Sequence, residues 1–220
     1  MTRAGSSGLA DVARQIAGYD PFETAGACSY DKKAAREAIA FFSECLTFTA
    51  GEWMGQPFKL EPWQRCLVAH LFGWKRHDGR RRYREAFIYV PRKNGKSELA
   101  GGLGNLLAFA DDEPGAQVYC AAAAREQARL VFNATKRMVL AEPELARRSH
   151  VYSHAITVPA TGSVLKVISA EARPDGVPIT SGDAPATEAS EPSGLVFDDL
   201  VVTRASCAQC IEKVRPREPP

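Results

Sequence analysis

Six consecutive residues, Arg92-Lys93-Asn94-Gly95-Lys96-Ser97, carry the chemistry most open to test in this sequence. They follow an apolar run, Ala86-Phe87-Ile88-Tyr89-Val90, and open a Gly/Leu-rich helix. Backbone N–H groups at a helix start point at whatever lies ahead of it, and the helix dipole favours negative charge there. Gly95 lets the main chain approach a phosphate closely. Lys96 would reach β- and γ-phosphates, and the Ser97 hydroxyl would ligate Mg2+. Val90 stands where the pattern G-x-x-x-x-G-K-[ST] has its first glycine. A bare G-K-S also fits an exposed basic loop that caps a helix. The strand before it and the helix after it favour the phosphate reading.

Such a loop needs a carboxylate at the end of a neighbouring apolar strand to hold Mg2+ through water, and a second to position the attacking water. Leu195-Val196-Phe197-Asp198-Asp199 has that form. Asp198 is the metal-side candidate and Asp199 the candidate base, one methylene shorter than the glutamate common there. A strand ending in a solvated Asp-Asp turn has the same sequence. Upstream, Phe58-Lys59-Leu60-Glu61-Pro62-Trp63-Gln64 offers a side-chain amide. Gln64 presents one donor and one acceptor, which matches an adenine edge; a solvent-facing Gln beside a core Trp is its plainer reading.

The elements that must position these residues follow from periodicity and caps. Ala35, Ile39, Phe42 and Leu46 recur at helical spacing with Asp31 placed as N-cap. A turn-like stretch, 50–57, precedes a helix with Pro62 at its first position and Trp63, Leu67, Val68, Leu71 and Phe72 as its apolar face. The basic stretch Lys75 to Arg84 is broken by Asp78-Gly79, a hairpin turn. Strands are predicted over 86–90, 117–120, 156–159, 164–168 and 194–197. A helix is predicted over 124–141, through Leu130, Val131, Ala134 and Met138. Strands alternating with helices predict an α/β fold with a mainly parallel sheet.

A chain of 220 residues suffices for one domain with a small appendage, and 45% hydrophobic with 25% charged residues is an ordinary globular balance. A net charge of +2 leaves any nucleic-acid role to the placement of charge, not its sum. No run is apolar enough for a signal peptide or a membrane span, and the cytoplasm is the expected compartment. Cys207 and Cys210 form a C-x-x-C pair without the second pair or histidines that zinc requires. The expected organisation is a flexible lead-in over 1–30, a P-loop ATPase domain over 31–200, and an irregular tail over 201–220.

Taken together, Phe58 to Gln64, Tyr89 to Ser97, Val118 to Met138 and Ile168 to Ala172 resemble phage terminase large subunits in order and approximate spacing, over about residues 35–175. The resemblance implies a P-loop NTPase-type sheet flanked by helices, and an ATPase that drives double-stranded DNA into a procapsid. It implies ATP and Mg2+ as cofactors, a small terminase subunit and a portal protein as partners, and a homo-oligomeric ring. It further implies that Gln64 contacts adenine, that Lys96 and Ser97 hold phosphates and Mg2+, and that Arg92 or Lys93 assists catalysis. Arg80, Arg81 and Arg82 would face DNA or a neighbouring subunit, or simply solvate a turn. The stretch Pro174 to Ser193 is longer than the family's link to its acidic strand, and 200–220 matches nothing expected. The sheet is therefore expected to be incomplete at its C-terminal end, with no nuclease domain, as in a truncated product. An inactive prophage remnant and another P-loop translocase or helicase are the competing readings.

Overall fold

The computed structural model describes residues 20–83, 85–88, 94–111, 113–122, 125–169, 193–197 and 200–204. It divides into two compact units, one of Met1–Cys45 with Pro57–Arg84, the other of Leu46–Gln56 with Glu85–Pro220.

The first unit is built on two helices, α1 (Lys32–Cys45) and α2 (Pro62–Gly73), and a two-stranded ribbon of β1 (Ser29–Tyr30) and β2 (Trp74–Lys75). Asp31 caps α1 as expected, its Oδ1 accepting from the N–H groups of Lys33 and Ala34. Ala35 of α1 and Cys66 and Ala69 of α2 form one buried cluster, with Tyr30 and Ile39 packed against it. Gly73 cannot be larger, because a Cβ there would lie 2.6 Å from the Tyr30 ring and 2.9 Å from the Ala35 Cβ. Trp74 is buried against Phe22 and Tyr30, with ring centroids at 5.0 and 5.3 Å. Part of the expected lead-in, from Asp20 onward, thus belongs to this packing, since aromatic area is worth burying wherever a partner exists.

The second unit has a seven-stranded sheet in the order β3-β8-β9-β4-β7-β6-β5. Its strands are β3 (Glu85–Ile88), β4 (Gln117–Ala122), β5 (His150–Val151), β6 (Ala155–Val158), β7 (Ser163–Ser169), β8 (Ser193–Phe197) and β9 (Leu200–Arg204). The helices are α3 (Lys96–Phe109), α4 (Arg125–Ala141) and the short α5 (Pro143–Arg147). The fold is mixed α/β. Among the described residues β3–β8 and β4–β7 are parallel, and the other four pairings of this sheet are antiparallel. The expected parallel arrangement therefore holds where long connections carry the chain back to the same end. It gives way where connections are short: four residues separate β6 from β7 and two separate β8 from β9, lengths that return a strand antiparallel.

Val201 to Arg204, assigned from sequence to the irregular tail, pair on both sides as part of β9. Val201, Val202 and Thr203 are β-branched and Leu200 is apolar, which suits an inserted strand; residues 205–220, with Cys207 and Cys210, lie outside the described residues. In α4 the buried face is Ala128, Val131, Phe132, Thr135, Met138 and Val139, while Leu130 is 63% exposed. Leu130 was grouped from sequence with Val131 on the apolar face; one residue turns a helix by about 100°, and Val131 with Thr135 and Met138 sets the buried direction. No described helix is long and apolar enough to cross a membrane.

Candidate functional site

The start of α3 is where the sequence places phosphate chemistry. Gly95 is its N-cap, with φ 68° and ψ 20° in the left-handed region. An N-cap residue is normally extended, and an L side chain at this φ would strain against its own carbonyl. A left-handed residue leading directly into right-handed ones turns successive N–H groups toward one point, the geometry of an anion-binding nest. The first turn then closes with Leu99 N–H donating to the Gly95 carbonyl at 2.9 Å. Asn94, Gly95 and Ser97 are exposed and Lys96 is half-buried.

The rest of α3 holds that start in place. Leu99, Ala100, Leu103, Leu106 and Leu107 are buried. Gly101 permits close approach to α4, since a Cβ there would meet the Thr135 nitrogen at 3.0 Å. Two buried polar residues join the pair: Asn105 Nδ2 donates to the Thr135 carbonyl at 3.2 Å, and the Thr135 hydroxyl, which also bonds Val131 in its own helix, donates to the Gly101 carbonyl at 3.4 Å. Beneath them, burial pushes the Cys120 thiol up to about 12, against the smaller lowering effect of a hydrogen bond with Thr135. This thiol is a packing group.

A contact with no sequence signal joins α3 to the segment Leu46–Gln56. Glu98, in the first turn of α3, accepts from Thr49 twice: the hydroxyl donates to Oε1 and the N–H to Oε2, the latter at 3.2 Å. The segment closes on itself, Phe48 N–H donating to the Gln56 carbonyl and Gly55 N–H to the Phe48 carbonyl, both at 2.9 Å.

The strand that precedes Asp198 pairs with the strand that precedes the Asn94 segment. β3 and β8 are parallel neighbours, and Ile88 is the register partner of Phe197. Parallel strands ending in register release their chains at the same end of a sheet. The segment toward Asn94 and the segment toward Asp198 therefore start side by side. Arg92, Lys93, Asp198 and Asp199 themselves lie outside the described residues.

Gln64 belongs to the other unit. It is 5% exposed, and its Oε1 accepts from the Glu61 N–H at 2.9 Å. Its acceptor half is thus engaged at the start of its own helix. The basic hairpin forms as expected around Asp78-Gly79, with Arg76 N–H donating to the Arg80 carbonyl at 2.7 Å and Gly79 at φ 79°. An N–H bond from Arg80 holds the Asp78 carboxyl below its ordinary range. Arg82 is committed inside this unit: its guanidinium sits 5.0 Å from the Trp74 ring centroid and donates to the carbonyls of Pro21 and Thr24. Arg81 lies over Phe72 at 5.2 Å.

Comparison with known proteins bears on these features together. Residues 62–178 match the family model described as terminase large subunit, ATPase domain. The terminase large subunit of Enterobacteria phage HK97 is 31% identical over 116 residues, covering 51% of this chain and 22% of that protein. The crystal structure of the HK97 bacteriophage large terminase matches with a TM-score of 0.54 at 27% identity, over 63% of this chain and 28% of that one. The chain thus spans between a fifth and a third of the length of these relatives. The family match covers more than half of the 220 residues, and the chain belongs to the terminase large subunit family, by its ATPase domain.

Proposed function

We propose that this chain binds and hydrolyses ATP at the start of α3 as the motor domain of a phage DNA-packaging terminase, powering the passage of double-stranded DNA into a procapsid. Two observations support it most: the parallel register of β3 with β8, and a left-handed Gly95 at the head of α3. A phosphate loop works with a carboxylate at the end of a neighbouring strand, and Ser97 and Asp198 are the residues that would hold Mg2+ between them.

In this reading the N–H groups around Gly95 cradle the phosphates with Asn94, and Lys96 neutralises charge on the β- and γ-phosphates. Ser97, exposed at the second position of the helix, and Asp198 would hold Mg2+, which polarises the γ-phosphoryl oxygens when bound. Asp199 orients the attacking water, and Arg92 or Lys93 offsets charge that develops in the transition state. Gln64 contributes to adenine recognition through its amide nitrogen, its oxygen being engaged with Glu61. The DNA, a small terminase subunit, a portal protein and further copies of the chain in a ring are the partners this activity requires, in the cytoplasm of the infected bacterium.

The test is a calorimetric titration of Mg-ATP into the purified chain and its Lys96→Ala variant. The wild type binds and the variant does not. Equal affinity of the two overturns the assignment of the phosphate site.

A further inference from the structure

Counted from Gly95 as N-cap, Glu98 occupies the third helical position of α3. A glutamate at that position ordinarily folds back on the N-cap N–H and closes the helix start. In α2 the same spacing acts in that way, Gln64 accepting from the Glu61 N–H at 2.9 Å. In α3 both carboxylate oxygens are turned to Thr49 instead. Thr49 is 6% exposed and Glu98 half-buried, so these bonds are partly shielded from water, and bonds to an ionised acceptor are the stronger kind. The Gly95 N–H that Glu98 would otherwise occupy is among the donors an anion at this helix start requires.

We propose that Thr49 is a positioning residue that sequesters the Glu98 carboxylate and thereby keeps the head of α3 open to phosphate. The inference rests on the phosphate reading of the α3 start. Released from Thr49, Glu98 caps its own helix and places a negative charge where the nucleotide must bring its own. The carboxylate then competes with the ligand, both by occupying donors and by repulsion at short range. Thr49 lies 49 residues upstream of Glu98, so only the fold brings the guard to the group it guards.

The experiment uses the full chain and two ligands, inorganic pyrophosphate and Mg-ATP, with affinity read by titration and folding by thermal melting. Thr49→Val weakens both ligands by about tenfold, the worth of one charge-assisted hydrogen bond. Adding Glu98→Ala to Thr49→Val restores affinity to within about twofold of wild type, because the competitor is gone. Thr49→Ser binds as the wild type does. Where Thr49→Val does not melt cooperatively, Thr49→Ala gives the same contrast without a methyl against the carboxylate. A double variant as weak as the Thr49 variant, or a Thr49 variant as tight as wild type, overturns the positioning role alone. A wild-type chain that binds neither ligand overturns the phosphate reading and this inference with it.

Discussion

The starts of α2 and α3 share one local grammar and reach opposite ends. Each has a residue at the third helical position with a side chain long enough to reach back to the N-cap. In α2 the helix closes on itself: Pro62 has no N–H to satisfy, and Gln64 takes the N–H of Glu61. In α3 the N-cap is a left-handed glycine, the third residue is drawn away by Thr49, and Asn94 and Ser97 are exposed. A closed start satisfies its own donors; a start that its third residue does not close draws its partners from elsewhere. The difference teaches where to look for a ligand: at the helix whose own sequence could have capped it and whose fold prevents that.

The sharpest attempt to break this contrast is Gly95→Ala. Holding an alanine at φ 68° costs about 1–2 kcal/mol, and relaxation of that strain turns the N–H groups apart. Mg-ATP affinity is expected to fall by about tenfold or more. A variant that binds at wild-type affinity shows that the left-handed turn is not what gathers the donors.

Gln64→Ala addresses the closed start. It removes a buried cap, and a loss of about 1 kcal/mol in denaturant unfolding is expected, with pyrophosphate affinity unchanged. If Gln64 also reads adenine, Mg-ATP weakens relative to Mg-GTP while pyrophosphate stays constant. Weakened pyrophosphate binding in this variant would mean that the two helix starts do not act separately.

The smallest effect belongs to a third helix start, that of α1. Asp31→Asn keeps an acceptor for the N–H groups of Lys33 and Ala34, so stability should change by no more than a few tenths of a kcal/mol, roughly, whereas Asp31→Ala loses about 1. Equal losses in the two variants would assign the cap energy to charge in place of hydrogen bonding.

Much of this was legible in the residues. The cap at Asp31, Pro62 at the head of α2, the turn at Asp78-Gly79 and the strands around Val118, Ile156, Val164 and Leu195 all depend on neighbours within a few positions. Local sterics and hydrogen bonds decide such features before any tertiary contact forms. The string Asn94 to Ser97 was readable for the same reason, since a glycine, a cation and a hydroxyl at a helix start carry their chemistry with them. The outward turn of Leu130 was not readable, because a helix face is defined by what it packs on, and α4 packs on α3 through Thr135 and Gly101.

By itself, then, the sequence determined the longer helices and most of the longer strands, β9 excepted, because those choices are settled over three to seven residues. The tertiary structure decided that β8 lies beside β3, that β9 enters between β8 and β4, and that Thr49 meets Glu98. Each of these joins positions tens of residues apart, where the entropy of closing the loop is offset only by the burial and hydrogen bonding of the whole assembled unit.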